Sequence, residues 1–482
     1  MDLKNGELYL NKLMVGISSV SFVGILTASI VSFFICNIVF MISYPETFSF
    51  VEWVWFIPAM FLVILNARLG KGMQLFGIQV SPRIIGFILS NIVFVTVLSS
   101  YDTQPVSDWK YVWNAANEMA DGKFEDGLIP GTYMHEIPYQ LGLSFFESLF
   151  IRVFGSSYWI LKALNLILLN FITWSTYHFS KRKASVEVAN FAYVASCMFL
   201  CYLMTVGQFT NHQLGFVFLY VSLYLYERDK FRWCCCAGFV AACLNFVRPM
   251  GIMVVAAIVV YEIYRITKGV NYRKVISNLV GFYFTYKIVL FLLDVLLLNL
   301  NYTDEYISSS TRNLYHKISY TLYESKIDGR INDYNYNYEE YNQAYKEELI
   351  YMVVNQPKEI VVNIVNKMVR YLGLFDYLFE MTYDHDENIW QKYPIRAIYS
   401  MQWFQYVFFV GLALYGYVKY RKRKEEIDLY QIFFIGNTCV YVFVEAFSSY
   451  RFINYFYLLF LVGYGLNELS SYRKKVNLKC LN

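Results

Sequence analysis

The sequence predicts an all-α polytopic membrane protein with about twelve transmembrane helices and two large extracytoplasmic loops. Three observations point there. Of 482 residues, 57% are hydrophobic and 16% charged, whereas soluble domains carry about a quarter charged residues. Apolar runs of roughly 17–25 residues, the length that crosses a hydrocarbon core, recur along the chain. Lys and Arg cluster between alternate runs, as cytoplasmic connections do.

The apolar runs are 17–43, 51–67, 83–100, 157–179, 187–207, 212–227, 233–248, 250–265, 276–300, 398–418, 428–446 and 452–468. The first follows a dozen polar residues and lacks a small-residue cleavage site, so it reads as an anchor and not as a removed signal. Basic clusters stand at Arg68/Lys71/Arg83, Lys181–Lys183, Arg228/Lys230/Arg232, Arg265–Lys274, Arg421–Lys424 and Arg473–Lys475. With Lys4 and Lys12 they share one side only if 138–154 is not a span. Both termini are therefore expected in the cytoplasm, with 138–154 as a helix on the outer surface. The chain divides into 1–82 (tail and two spans), 83–300 (a core with a first external loop, 101–156), 301–397 (a second external segment) and 398–482 (closing spans and tail).

The net charge of +4 is small, and its placement carries more information than its sum. Nine cysteines lie mostly in apolar runs without metal-ligand spacing and read as small buried hydrophobes.

The first external loop opens as "SSYDTQPVSDWKYVWNAANEMADG". Ser107 and Asp108 suit a helix cap and first turn. Trp109, Val112, Trp113, Ala116, Met119 and Ala120 follow at helical spacing, and Asp121-Gly122 ends the run. Asp108 is thus expected at the mouth of a surface helix, where a carboxylate can also serve only the helix dipole. Asp102 is the alternative aspartate. Next comes "GTYMHEIPYQLGLSFFESLFIRVFG", with a polar knot of Tyr133, His135, Glu136, Tyr139 and Gln140. Those side chains offer stacking faces and paired donors for sugar hydroxyls, or interfacial anchoring.

Two cations defy the inside bias: Arg248 in "NFVRPMG" and Arg451 in "SSYRFINY". Facing the side that holds the acidic loop, they suit an anion there. Lys287 and Asp294 share one run seven residues apart, on roughly one helix face. The second external segment alternates Tyr334, Tyr336 and Tyr338, and "YDHDENIW" clusters Asp384, His385, Asp386 and Glu387. The acids among these, Asp384, Asp386 and Glu387, are candidate hard-cation ligands, but no fixed spacing singles them out from a solvated loop. No P-loop or dinucleotide glycine pattern occurs.

An aspartate at a helix start after an early outward span resembles the GT-C class of membrane glycosyltransferases. The nearest likeness is to the protein-mannosyltransferase and aminoarabinose-transferase group and its bacterial cousins. "IPYQLGL" before an aromatic helix ending in "FG", then "NFVRPMGIMVVAAIVVYEIY" and "VEAFSSYRFINYFYLLFLVGYG", follow in family order between about 83 and 468. The resemblance implies a GT-C-like fold that moves a sugar from a polyprenyl phosphate donor to an acceptor hydroxyl outside the membrane. It carries the acceptor-activating aspartate onto Asp108, with Asp102 as alternative, and donor-phosphate contacts onto Arg248 and Arg451. The chain departs from the pattern at Trp109 (often Glu or Gln), Ile137-Pro138 (usually Tyr-Pro) and Arg451-Phe452 (usually Arg-Tyr). Expected partners are the donor lipid, a lipid, protein or glycan acceptor, and membrane lipids, without nucleic acid. No cofactor is required beyond an optional divalent cation. The setting is a bacterial plasma membrane and the task envelope glycan assembly. A polysaccharide polymerase and a lipid-linked glycan transporter or flippase are the alternative readings.

Overall fold

The computed structural model describes residues 3–43, 50–75, 78–100, 103–310, 338–373, 393–424, 426–443 and 448–480. Asp102, Asp384, Asp386 and Glu387 lie outside them, as do Tyr334 and Tyr336.

The described chain is almost entirely helical. In order it forms α1 (Leu3–Ser43), α2 (Phe56–Leu69), α3 (Pro82–Ser100), α4 (Asp108–Asp121), α5 (Tyr133–Glu136), α6 (Leu141–Phe154), α7 (Tyr158–Lys183), α8 (Val186–Cys197), α9 (Leu200–Leu203), α10 (Asn211–Tyr226), α11 (Phe231–Val247), α12 (Gly251–Thr267) and α13 (Tyr272–Asn299). Further along the chain come α14 (Tyr338–Asn355), α15 (Pro357–Gly373), α16 (Tyr393–Arg423), α17 (Leu429–Phe443) and α18 (Tyr455–Cys480). The one sheet among these residues is a two-stranded antiparallel ribbon, Met73–Leu75 with Ile78–Val80.

Among the described residues, four helices are long and apolar enough to cross a membrane: Tyr9–Cys36, Pro82–Ser99, Tyr158–Lys183 and Tyr272–Asn299. A fifth candidate is a pair, Val186–Cys197 and Leu200–Gly207, bent by 51°. The apolar run 187–207 is therefore not the straight helix its composition suggests. Each of the other eleven runs coincides with one main helix, several of them shorter than a full crossing. The segment 138–154 becomes a one-turn 3-10 helix and the 14-residue α6, about 21 Å long at 1.5 Å per residue.

Aromatic packing and close glycine contacts hold the helices together. Phe22 of α1 sits 4.6, 4.9 and 5.6 Å from the rings of Tyr417, Phe434 and Tyr457, joining α1 to α16, α17 and α18. A Cβ on Gly416 would lie 2.1 Å from the Leu461 carbonyl oxygen, so α16 and α18 touch backbone to backbone there. The same holds for Gly238 of α11, whose Cβ would stand 2.2 Å from the Phe282 carbonyl oxygen of α13.

Charge gathers at one end of the bundle. Lys183 bridges Glu227 (3.0 Å) and Asp428 (2.6 Å), Lys424 reaches the Lys183 carbonyl, and Asp229 receives Arg265 (2.8 Å) and Lys274. At the other end of α7, Tyr158 belongs to a separate core with Val112, Met119, Leu141 and Leu143 of the 101–156 segment. The 26 residues of α7 set these ends about 39 Å apart.

Candidate functional site

Asp108 is the first residue of α4 and is exposed. Ser107 holds the cap position, but its hydroxyl makes no capping bond and its φ is 50°, in the left-handed region. At the far end Gly122, at φ 71°, closes the helix, with Lys123 N–H donating to the Glu118 carbonyl (2.9 Å). Arg152 of α6 donates to the Met119 carbonyl at 2.6 Å. Val112, Ala115 and Met119 are buried against α6 and its neighbours. Asp108 is therefore carried by a helix fixed along its apolar face, and that face meets protein.

The polar knot folds back toward that helix start. The Tyr133 ring stacks on Tyr111 at 4.6 Å. Burial first, then the neighbouring Asp108 charge, pushes the Tyr133 phenol far above its ordinary range, so it stays protonated beside the carboxylate. Its hydroxyl is buried and faces the Gln140 side chain and the Asp108 carboxylate, both within hydrogen-bonding reach. Glu136 accepts from the Gly131 N–H at 2.9 Å and lies 3.5 Å from His135. His135 in turn approaches Asp304 of the 301–397 segment at 4.0 Å. Tyr139 completes the knot through its charge coupling to Tyr133.

A second strip of side chains leads from Asp108 inward. Trp109 meets the His212 ring at 6.2 Å, His212 meets Tyr450 at 5.7 Å, and the Arg248 guanidinium lies 5.1 Å from the Tyr450 ring. Arg248 ends α11 in extended conformation because Pro249 follows and disfavours a helical residue before it. Its guanidinium donates to Asn211 at the start of α10, to the Tyr441 hydroxyl (3.2 Å) and to the Met250 sulfur (3.0 Å). Gly215 leaves room for its stem, since a Cβ there would stand 3.1 Å from Arg248 Cδ. Arg248 is 4% exposed and makes no ion pair among the described residues.

Arg451, 1% exposed, is committed differently. It donates to the Leu372 carbonyl (2.9 Å), the Tyr371 carbonyl (3.5 Å) and Ser29 (3.4 Å), between the rings of Tyr371 and Tyr406. It thus caps the C-terminus of α15, where a cation complements the helix dipole. Tyr371 feels the charge of both Arg451 and Arg248, and its ring lies 6.3 Å from Tyr441.

Lys287 and Asp294 do not pair. Asp294 is buried and accepts from the Ser308 N–H (3.2 Å) and hydroxyl, tying the start of the 301–397 segment to α13. Lys287 stays exposed. Among the described residues the returning chain meets their shared face at Asp294, through Ser308.

Three buried groups were not singled out by the sequence. Lys162 is 0% exposed and lies 4.4 Å from the Trp159 ring. Its signal was a lysine at the outer end of an apolar run. Glu147 is buried in α6, one carboxylate oxygen has no hydrogen-bond partner among the described residues, and burial pushes its carboxyl well above the usual range. Asn165 donates to the Thr205, Val206 and Gln208 carbonyls at 2.7, 3.0 and 3.0 Å. Nothing local to Asn165 announces that role. Among the described residues no group of His, Cys, Asp and Glu is arranged to hold a metal.

The arrangement offers an exposed carboxylate for proton transfer, a phenol and amide for hydroxyl recognition, and an inner cation for an anion. No protein-family model matches the chain, and no curated protein matches it in sequence.

Proposed function

We propose that the protein is an integral membrane glycosyltransferase of GT-C type, transferring a sugar from a polyprenyl phosphate donor to an acceptor hydroxyl outside the membrane. The observation that carries this reading is Arg248: a buried guanidinium with no carboxylate partner among the described residues, joined through Tyr450, His212 and Trp109 to Asp108. A buried cation without an acid suits an anionic ligand, and a phosphate on an apolar tail is an anion that a membrane protein can receive.

In the reaction the Asp108 carboxylate takes the acceptor proton. The acceptor oxygen bonds to the anomeric carbon as the carbon–phosphate-oxygen bond breaks, and that electron pair leaves on the phosphate beside Arg248. Attack opposite the leaving group inverts the anomeric centre. Tyr133 and Gln140 hold the hydroxyl groups of sugar or acceptor, with Tyr139, His135 and Glu136 around them. Arg451 acts on the donor through Tyr371 and the α15 terminus.

The 51° break between α8 and α9 favours one second reading, a lipid-linked glycan transporter, because discontinuous helices with polar linings mark transport sites. Purified protein offered labelled polyprenyl phosphate sugars and a mixed acceptor extract decides. Release of polyprenyl phosphate with label on a new product supports transfer. Unchanged donor lipid that moves across sealed vesicles refutes it.

A further inference from the structure

The bare side of α13 holds a feature that neither the fold nor sugar transfer uses. One side of the helix packs on α11, where a Cβ on Gly281 would meet the Phe231 ring at 2.7 Å. The other side exposes Tyr283, Phe284, Ile288 and Phe291, by 41–65%. Lys287 stands exposed among them, its ammonium meeting only the Tyr283 ring, at 5.9 Å, among the described residues.

Its depth makes this unusual. Lys287 lies 13 residues from Lys274 and 12 from Asn299, about 20 and 18 Å along the axis. In a hydrocarbon layer of about 30 Å that is near the middle, too deep for a four-carbon stem to carry the charge to either surface. Ionisable groups at that depth are rare and pair with one another or face water. The flanking Phe284, Ile288 and Phe291 give water no lining. Among the described residues the acids inside α12 and α13, Glu262 and Asp294, are 0% and 3% exposed, so the same face of a second copy presents no carboxylate. A lipid headgroup does not reach that depth.

We infer that the face of α13 around Lys287 docks a membrane helix of a different protein that carries an aspartate or glutamate near its midpoint. Charge complementarity sets the partner's acid, and the aromatic flank sets its apolar surroundings. The inference rests on Tyr272–Asn299 crossing the membrane and not on the chemistry at Asp108.

The test uses the full chain in nanodiscs and synthetic Leu/Ala transmembrane peptides with Asp, Asn or Ala at the centre, with association followed by energy transfer. The Asp peptide is expected to bind at least tenfold more tightly than the Ala peptide. Lys287→Leu should abolish that preference and Lys287→Arg should keep it. Equal binding of the Asp and Ala peptides, or a preference that survives Lys287→Leu, overturns the inference. A fluorophore on Phe284→Cys, quenched by lipids brominated at mid-chain, checks the span itself. Absence of quenching overturns the inference at its premise, whatever transfer assays report.

Discussion

Asp108→Asn separates chemistry from architecture. The carboxylate is exposed at the first residue of α4, so its share of fold stability is mainly a charge at a helix N-terminus, about 0.3–1 kcal/mol. In a chain of this size that moves the unfolding midpoint by about 2 °C or less. Loss of a general base costs about 10²–10⁴ in rate, or about 3–5 kcal/mol on the barrier at 1.36 kcal/mol per tenfold. The catalytic effect should therefore exceed the structural one several-fold. Initial rates of labelled sugar transfer, beside thermal unfolding of the same detergent preparation, measure both. A wild-type rate in the variant removes Asp108 from the reaction, and a rate loss matched by a large midpoint loss makes the residue structural. Tyr133→Phe sharpens the assay. The Tyr133 phenol stays protonated beside Asp108, and a donor near a carboxylate favours its charged form and holds its pKa down. Without that hydroxyl the acid limb of the pH–rate profile should move to higher pH. An unmoved limb means that Tyr133 does not touch the proton transfer.

Other substitutions probe the surroundings. Arg248→Lys keeps the charge but cannot serve Asn211, Tyr441 and a phosphate together, so the donor KM should rise by about tenfold or more; an unchanged donor KM ends the phosphate assignment. Asn165→Leu leaves three buried carbonyls without their donor, each worth about 1–3 kcal/mol, and a midpoint equal to wild type would show that the amide does not hold the 205–208 turn. Glu147→Gln tests linkage. The buried carboxyl stays protonated in the fold while the unfolded chain ionises above about 4.3, so the folded state binds more protons and stability falls as pH rises above that value. The variant should be indistinguishable from wild type at pH 4, more stable at pH 7.5, and free of that slope; parallel curves would refute the assignment.

Local features were legible where short-range chemistry decides them. The start of α4 at Asp108 and its end at Gly122 follow from a polar opening, helical spacing and a glycine that adopts φ 71°. The basic clusters were likewise readable, and those after α7 and α10 and around α12–α13 do collect at one end of the bundle. The break at Met198–Phe199 was not readable, because the amide that satisfies it comes from elsewhere: Gln405 takes the Leu200 N–H (2.8 Å) and serves the Met198 carbonyl (2.7 Å), while Asn165 holds the carbonyls at 205–208, past α9. Nor could the sequence tell that Arg451 caps α15 while Arg248 ends among Asn211, Tyr441 and Tyr450. Both are arginines beside an apolar run, and only tertiary packing distinguishes them. Spacing places Asp294 on one helix face with Lys287 but does not reveal its partner, Ser308, which comes from beyond the helix.

The break also has a history in time. Asn165 precedes it in the chain and is already made when residues 187–207 emerge, but Gln405 follows Leu200 by 205 residues. At about 5–20 residues per second that interval is roughly 10–40 s. During it the freshly made segment has no partner for the Leu200 N–H and the Met198 carbonyl. In lipid such groups must be satisfied within the protein, so the bent form depends on the Gln405 amide that α16 supplies. The bend as the structure has it is complete only once α16 is present, so the joint between α8 and α9 is a long-range product of the chain and not a local one.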